Sequence, residues 1–291
     1  MLALVLADDA GEDLAPLTSE IPAAMIPVLD RPVMAHTVDL LRRHGIEDVI
    51  AVLRHAPEPV RRWFGDTLRY RVEYKPLGTA GAARTCRDLI ADEPFLVVSG
   101  AELTDLDVGR LLATHRSAGA VVTVATADGE PSSILAVQPE AFDYFPHAGR
   151  LDWPEVLAAL RERGAPVAEH ALGDDEYRLA LRTPQSLRRA AFDMLDGRTR
   201  LPVVGERLAE GLILGEGSAL DGVAMIEPPV WVGSEVQIGV NAHLYGPLVI
   251  GDGATIGDGA QLRGSVILPG SVVPREAVLV DGVIGLVDAW A

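Results

Sequence analysis

The residues most open to chemical interpretation are a group of acids in the stretch LADDAGEDLAPLTSEIPAAMIPV, residues 6–28. They surround the turn glycine Gly11 and are Asp8, Asp9, Glu12 and Asp13. A phosphate-binding loop after a first strand offers backbone N–H groups and a nearby cation. Two unit charges about 4 Å apart interact by roughly 1 to 4 kcal/mol, depending on the dielectric. The stretch therefore has the frame of a phosphate loop but carries charges that repel a phosphate.

The charge balance excludes several classes of partner. The 291 residues include 25 basic and 42 acidic side chains, giving a net charge of −17. Such a field repels nucleic acid and anionic membranes. No apolar run approaches the roughly 18 residues of a membrane span, and MLALVLADD turns acidic too early for a signal peptide. With Cys86 as the only cysteine, we expect a cytoplasmic protein in a reducing compartment.

Residues 1–197 alternate between strand-like apolar runs and amphipathic stretches of helical length. This alternation predicts a mostly parallel sheet with helices on both faces. Ligands of such sheets bind at the carboxyl ends of the strands, so the loops starting at Ala7, Tyr74 and Ser99 should surround one cleft. His36, His44 and His115 lie on predicted helices, where we expect surface positions.

Residues 198–291 have a different sequence pattern, in which aliphatic residues recur every six positions. The anchors are Leu214, Leu220, Ile226, Val232, Ile238, Leu244, Ile250, Ile256, Leu262 and Leu268. A hexapeptide period predicts a β-helix whose anchors point inward, with three hexapeptides in each coil. Trp231 in EPPVWVG is either an exposed interface aromatic or a cover for the domain junction.

Taken together, these motifs resemble the sugar-1-phosphate nucleotidyltransferases, especially the mannose-1-phosphate guanylyltransferase branch. Residues 2–46 follow the family's G-G-x-G-T-R-L-x-P-L-T…P-K-P-M-x-P-V frame, and YKPLGTAGAAR matches its L-G-T-A-G-A loop. The stretches FLVVSGAELTD and EYRLALRTPQSL are similar to its N-G-D strand and its G-Y-W-x-D-I-G-T-P segment. The resemblance implies a Rossmann-like nucleotidyltransferase domain over 1–197 and a left-handed parallel β-helix over 198–291.

The resemblance also shows which of the family's charged groups are missing from this chain. Acids replace the paired loop glycines, and Asp13 stands where the family has its catalytic Arg. Ala23 replaces the Lys of P-K-P-M, while Ala101 and Ala180 replace the two carboxylates that hold Mg²⁺. The sugar-side strands with their F-x-E-K-P motif are missing between Thr126 and Ser133. Losing charge-stabilising groups from a phosphoryl-transfer site costs on the order of 10³-fold or more in rate.

We therefore predict a catalytically inactive regulatory or scaffolding subunit in sugar-nucleotide or polysaccharide metabolism, with no metal or cofactor. The expected partners are a second copy of the chain, an active nucleotidyltransferase paralogue, and a nucleotide or nucleotide-sugar effector. Residual nucleotide contacts would come from Leu6, Gly11, Gly78, Thr79, Ala80 and Gly81. Equally, the small residues of that loop would simply let a helix start pack against the sheet.

Two alternatives remain open at this stage. The first is an active enzyme of the GDP-mannose type with a rearranged site, in which acids hold a cation from the opposite wall. Those acids are Asp8, Asp9, Asp13 and Glu102. The second is a hexapeptide acyltransferase that uses His243 in NAHLYG as a general base.

Overall fold

The computed structural model describes residues 1–220, 222–223 and 225–285. The α-helices are α1 (Val33–Arg43), α2 (Pro57–Phe64), α3 (Thr79–Thr85), α4 (Val108–Ala118), α5 (Trp153–Glu162) and α6 (Pro184–Leu195). The strands before α6 are β1 (Leu2–Ala7), β2 (Pro27–Val28), β3 (Arg31–Pro32), β4 (Asp48–Leu53), β5 (Arg69–Val72), β6 (Phe95–Ser99), β7 (Glu102–Thr104), β8 (Val122–Ala127), β9 (Glu130–Val137), β10 (Val167–Ala171) and β11 (Arg178–Ala180).

The strands after α6 are short, as the hexapeptide period requires. They are β12 (Glu206–Ala209), β13 (Leu212–Leu214), β14 (Met225–Glu227), β15 (Val230–Val232), β16 (Gln237–Ile238), β17 (His243–Tyr245), β18 (Leu248–Ile250), β19 (Thr255–Ile256), β20 (Gln261–Arg263), β21 (Val266–Ile267), β22 (Val272–Val273), β23 (Val278–Val280) and β24 (Val283–Ile284).

Contacts divide the chain into two compact units. The N-terminal unit comprises Met1–Ala10, Pro22–Met25 and Met34–Arg178, and the C-terminal unit comprises Gly11–Ile21, Ile26–Val33 and Leu179–Ala291. The boundary between the units thus falls after residue 178, whereas the change in sequence pattern predicts a boundary after residue 197. The reason is α6, where Arg188 donates to the Gly264 carbonyl at 2.8 Å and pairs with Asp281 at 2.6 Å. These bonds tie α6 to the repeat region.

The N-terminal unit is built on a seven-stranded sheet in the order β10-β8-β9-β6-β1-β4-β5. Strand β1 pairs in parallel with β4 and β6, and β4 pairs in parallel with β5. All six residues of β1 are buried, as expected for the centre of a sheet covered on both faces. Only β9 runs antiparallel to its neighbours β6 and β8. The predicted mostly parallel α/β sheet is confirmed.

A two-residue turn connects β8 directly to β9. Ala127 pairs with Glu130, and the residues between them, Asp128 and Gly129, have φ values of 52° and 78°. Positive φ at both central positions is typical of the tight hairpin turn that Asp-Gly favours. The chain therefore has no segment at this point that could form additional sugar-side strands.

The helix histidines differ in their exposure. His44 near the end of α1 is exposed, as predicted. The predicted surface positions of His36 and His115 are wrong, because both are buried. Nδ1 of His115 lies 2.8 Å from the hydroxyl of Thr123, and burial lowers the pKa of the imidazole. The apolar side chains flanking it on α4 turn this face of the helix toward the sheet.

The C-terminal unit contains the predicted β-helix. Its coils stack so that each strand pairs in parallel with the strand one coil further on, for example Leu244 with Leu262 and Ile238 with Ile256. The offset of 18 residues equals three hexapeptides. Anchors such as Leu244 and Ile250 are fully buried and form one continuous apolar core. Residues 286–291, which were assigned to this domain, lie outside the described residues.

The hexapeptide period slips once, in the last coil. Ile250 pairs with Ile267 and not with Leu268, so the offset falls from 18 to 17 residues. The slip arises because four positions separate Tyr245 from Val249, whereas three separate Arg263 from Val266. Leu268 is buried, but it is not the tenth anchor that the spacing suggested.

None of the helices within the described residues combines the length and the apolar character needed to cross a membrane.

We predict that Val232→Ala lowers the free energy of unfolding by about 2 kcal/mol, because it deletes two methyl groups from the packed interior of the coils. Val232 is 0% exposed, whereas Val272 on the same β-helix is 66% exposed. Val272→Ala is therefore the matched control and should change the free energy by less than about 0.5 kcal/mol. Urea unfolding curves measure both changes, and equal effects would contradict the inward orientation of the anchors.

Candidate functional site

One charged residue directly follows each of three neighbouring parallel strands in the N-terminal unit. Asp8 follows β1, Arg54 follows β4 and Glu73 follows β5. We call these three residues the strand-end cluster. Glu73 is only 4% exposed, and neither of its carboxylate oxygens has a hydrogen-bond partner within the described residues. Nε of Arg54 is likewise buried without a hydrogen-bond partner there.

Burial shifts the protonation of both acids in the strand-end cluster. It raises the pKa of Glu73 from 4.5 to about 7, and the neighbouring charge of Asp8 adds to the rise while Arg54 opposes it. The pKa of Asp8 is also raised, mainly by burial, with smaller contributions from Asp9 and Asp152. Both changes follow from desolvating carboxylates beside other carboxylates. Glu73 therefore keeps its proton to a higher pH than an exposed glutamate does.

The backbone N–H groups of the loop Gly78–Gly81 are hydrogen-bonded to a second segment of the same chain. The Thr79 N–H donates to Oδ1 of Asp152 at 2.8 Å, and the Ala80 and Gly81 N–H groups both donate to the Leu151 carbonyl. These amides lie in the first turn of α3 and have no partner within the helix. Without Leu151 and Asp152 they would be available to a ligand. Gly78 has φ 79°, and a Cβ there would lie 2.5 Å from the Leu151 oxygen. The small residues in this loop are therefore explained by close packing.

Asp152 serves two helices at once. It is the N-cap of α5, where Glu155 completes a capping box, and it also accepts hydrogen bonds from the start of α3. Burial alone would raise its pKa, but hydrogen bonds from Thr79 and Arg150 outweigh burial and lower it. A carboxylate that stays ionised at a helix start occupies the place of an external anion.

The alanines that replace charged family residues in this unit are packed against the backbone. Ala23 is fully buried, and its N–H donates to the Asp9 carbonyl at 3.2 Å. Ala101 follows β6 directly after Gly100, and its N–H lies 3.2 Å from Oγ of Ser99. Neither methyl group can neutralise a phosphate or ligate a metal ion.

Glu102, which the rearranged-site alternative needs, is held in an ion pair. Its two oxygens accept from Nε and Nη2 of Arg178 at 3.1 and 3.2 Å. The Glu102 side chain is 1% exposed and that of Arg178 is 17% exposed. The bidentate pair uses two of the roughly four acceptor positions of the carboxylate and balances its charge. Within the described residues, no group of three or more His, Cys, Asp or Glu side chains is arranged to hold a metal ion.

Several predicted site residues belong to the C-terminal unit. Gly11 has φ 63°, and its carbonyl accepts from the Thr18 hydroxyl at 2.8 Å. Asp13 is exposed on the short 3-10 turn that follows it. Ala180 is half-buried at the end of β11, and Leu6 of the N-terminal unit is a core residue of β1. Thus the structure assigns the predicted contact residues to different units.

Trp231 and His243 have local roles in the β-helix. Trp231 is 2% exposed, and its indole N–H donates to the Val204 carbonyl at 2.8 Å. It therefore does not present the exposed surface expected of an interface aromatic, because the segment before β12 covers it. His243 lies half-buried on β17, with Nδ1 3.1 Å from the hydroxyl of Tyr245.

Comparisons with known proteins identify both parts of the chain. The family Nucleotidyl transferase matches residues 2–134, and Bacterial transferase hexapeptide (six repeats) matches residues 229–264. The N-terminal part of the chain is thus similar to nucleotidyltransferases, and the C-terminal part to hexapeptide-repeat transferases. This confirms the resemblance read from the motifs.

Individual relatives cover the N-terminal part. A UTP--glucose-1-phosphate uridylyltransferase of Synechocystis sp. is 32% identical over 143 residues, 43% of this chain and 37% of that protein. The mannose-1-phosphate guanylyltransferase catalytic subunit beta of Dictyostelium discoideum is 33% identical over 141 residues, 45% of this chain and 39% of that protein. The chain spans about two fifths of the length of these curated relatives.

A solved structure supports the fold. It is described as a glucose-1-phosphate thymidylyltransferase from Bacillus anthracis and superposes with a TM-score of 0.61 at 18% identity. The match covers 70% of this chain and 98% of that one.

The sequence interpretation missed the partners of the acids. It named Asp8 but neither Arg54 nor Glu73, and it gave Asp152 no role. A usable signal existed, since Asp8 and Arg54 are the first charged residues after the apolar strands β1 and β4, and Glu73 directly follows β5. The missing information was which strands are neighbours.

We predict that Glu73→Gln stabilises the protein at pH 8 and loses this effect near pH 5. In the unfolded chain Glu73 loses its proton near its ordinary value of 4.5, but in the folded chain near 7. Between these values the folded state holds the extra proton, so stability falls as pH rises. The difference corresponds to at most about 3 kcal/mol. Urea unfolding at several pH values measures it, with the exposed Glu140→Gln as control, and a pH-independent difference would refute the assignment.

We predict that Glu102→Gln lowers the free energy of unfolding by about 3 kcal/mol or more, because it leaves the guanidinium of Arg178 buried without its counter-charge. The exposed pair Arg161–Glu169 in the same unit provides the control. Glu169→Gln should cost less than about 1 kcal/mol. Chemical denaturation compares the two variants, and similar costs would show that burial of the Glu102 pair has no energetic consequence.

Proposed function

We propose that this protein is a nucleotidyltransferase homologue that no longer transfers nucleotides and acts as a regulatory or scaffolding subunit in sugar-nucleotide or polysaccharide metabolism. The observation that carries the proposal is the closure of the Gly78–Gly81 loop. Three amides at this helix start already donate to Leu151 and Asp152. A nucleotide would have to displace a charged cap and a carbonyl of the protein's own backbone.

Electrostatics at the strand ends supports the same proposal. A nucleoside triphosphate needs cations and free amides around its phosphates. Near the ends of β1 and β5 it would instead meet the acids Asp8 and Glu73, with Arg54 as the opposing charge. Ala23 and Ala101 supply methyl groups where the resemblance expects a lysine and a metal-binding carboxylate. Each of these replacements removes an attraction that phosphoryl transfer uses.

The direct hairpin between β8 and β9 argues against a sugar phosphate as substrate. Its two-residue turn leaves no room in the chain for the strands that carry the sugar-side lysine in the family's pattern. We infer that binding, if retained, serves regulation by a nucleotide or nucleotide sugar. A second copy of this chain or an active paralogue would then be the partner.

The competing proposal is an active sugar-1-phosphate nucleotidyltransferase, which the activities named for the relatives support equally. An active enzyme of this kind would need a new set of metal ligands. The only acid from the opening stretch that is partly buried at a strand end is Asp8, and Glu102 is already paired. An acyltransferase function has weaker support, because it rests on the single half-buried residue His243.

We predict that the purified full chain releases no pyrophosphate above background when supplied with Mg²⁺, each of the common nucleoside triphosphates, and glucose-1-phosphate or mannose-1-phosphate. The physical reason is that the triphosphate would find neither the cations nor the unbonded amides that phosphoryl transfer uses. The Dictyostelium discoideum catalytic subunit beta, assayed in parallel, is the positive control. Turnover that depends on Asp8, shown by its loss in Asp8→Asn, would contradict the proposal and establish the rearranged active site.

The subunit role is tested separately from inactivity. Affinity capture from the native cell, with co-purifying proteins identified by mass spectrometry, should recover an active nucleotidyltransferase or a polysaccharide enzyme. Light scattering after size-exclusion chromatography distinguishes this from self-association. A chain that is inactive, monomeric and captures neither class of enzyme would refute the regulatory role.

A further inference from the structure

One side of the β-helix remains open to solvent. In the six-stranded sheet, every residue of β15 and β18 is buried, so that sheet is covered on both sides there. The four-stranded sheet β14-β17-β20-β23 is buried on its inner side, where Leu244 and Leu262 belong to the apolar core. The residues before and after each inward residue point outward, because successive side chains of a strand alternate between the two faces. We call the outward side of this sheet the open face.

Strand pairing arranges the open face in two rows. The first row is Met225, His243, Gln261 and Val278, and the second row is Glu227, Tyr245, Arg263 and Val280. Val278 and Val280 are 68% and 56% exposed. Aromatic, methionine and arginine side chains are enriched where proteins contact each other, and the rows contain all three types. The composition of the open face therefore fits a protein interface.

Tyr245 lies in the middle of the open face and is already held by its neighbours. The guanidinium carbon of Arg263 lies 4.8 Å from the centroid of the Tyr245 ring, and Nδ1 of His243 lies 3.1 Å from the Tyr245 hydroxyl. The rings of His243 and Tyr245 stack with their centroids 6.0 Å apart. Side chains that are ordered beforehand lose less conformational freedom on binding. These three residues therefore form a preorganised contact site.

The charges of the open face are balanced, in contrast to those of the whole chain. The net charge of −17 makes two copies of the chain repel each other over most of their surfaces. The two rows, however, carry one acid, Glu227, and one arginine, Arg263. These two residues lie on either side of Tyr245 in the same row, with their backbones roughly 10 Å apart. The open face is thus free of the acidic excess that opposes self-association.

The positions of the two charges make the open face complementary to itself, which is what a symmetric dimer needs. A two-fold axis along β17 reverses the order of the strands in the second copy and keeps each row opposite itself. Tyr245 then meets Tyr245 of the second copy, and Glu227 of each copy meets Arg263 of the other. An axis along the direction of coil stacking would instead place Glu227 opposite Met225. Only the first arrangement pairs the opposite charges.

We propose that two copies of this chain form a symmetric dimer through the open face, with the two-fold axis along β17. This names the partner in the subunit role proposed above and rests on that role. Four strands at a spacing of about 4.8 Å span only roughly 15 Å, so the buried area is at the small end for protein interfaces. We therefore expect a reversible dimer with a dissociation constant on the order of 10 µM.

Sedimentation equilibrium of the full chain over a range of concentrations tests the proposal. Glu227→Arg and Arg263→Glu each replace two opposite-charge contacts of the dimer by two like-charge contacts, and each should weaken self-association by about a hundredfold or more. An equimolar mixture of the two variants pairs opposite charges at both contacts of the heterodimer, so it should associate about as strongly as the wild-type chain. Glu206→Arg makes the same change of charge at an exposed strand residue of the six-stranded sheet and should leave self-association unchanged.

Three results would overturn the proposal. The first is a wild-type chain that stays monomeric up to about 100 µM. The second is unchanged association of both charge-reversal variants, which would place the contact on another surface. The third is a mixture that does not recover association, which would exclude the two-fold arrangement along β17. Tyr245→Ala serves as a further variant if a charge reversal fails to fold, and it should weaken association by about tenfold or more.

Failure of the dimer is distinguishable from failure of the proposed function. Self-association is measured without nucleotide or sugar phosphate, whereas nucleotide transfer is measured by pyrophosphate release. A monomeric chain that releases no pyrophosphate would refute the dimer alone and leave an active paralogue as the partner. A dimeric chain that releases pyrophosphate would refute the proposed loss of activity and leave the dimer in place.

Discussion

Parallel pairing of β1 with β4, and of β4 with β5, is the constraint on which the chemistry of the N-terminal unit depends. Parallel neighbours end at the same edge, so the first residue after each strand is brought to a common place. In this chain those residues are Asp8, Arg54 and Glu73. Burial raises the pKa of Glu73, and the neighbouring charge of Asp8 adds to the rise while Arg54 opposes it.

Near the same edge, one segment of the chain contacts the starts of two helices. Leu151 and Asp152 satisfy the amides at the start of α3, and Asp152 caps α5 with the same carboxylate. One segment thus replaces an external anion while stabilising two helices. The arrangement retains the glycines that the resemblance associates with nucleotide binding, because Gly78 is needed for the close approach of Leu151.

The C-terminal unit follows a different physical rule. In-register stacking of short strands places each aliphatic anchor over the previous one, which fills the coil interior and leaves the outer surface free to vary. Turns between the strands carry acids such as Asp252 and Asp258, which accept backbone N–H groups of the preceding coil. In both turns the donor lies 18 positions before the acid, which is the length of one coil.

The sequence by itself determined the two textures, the hexapeptide coils and the absence of the family's cations. Alternation of apolar runs and a fixed six-residue spacing are local properties, and each identifies its element without reference to distant residues. The one-residue slip before Val266 escaped notice because Leu268 is also aliphatic, and only strand pairing distinguishes it from Ile267.

Only the tertiary structure decided which charged residues meet. Glu102 looked like a free carboxylate, but it pairs with Arg178, 76 positions further along the chain. For Trp231 the sequence left exposed and buried positions open, and the structure buries it, with its indole N–H bonded to the Val204 carbonyl. The grouping of α6 with the repeats likewise follows from the bonds of Arg188. Burial and ionisation depend on neighbours brought together by folding, and the order of residues along the chain does not specify those neighbours.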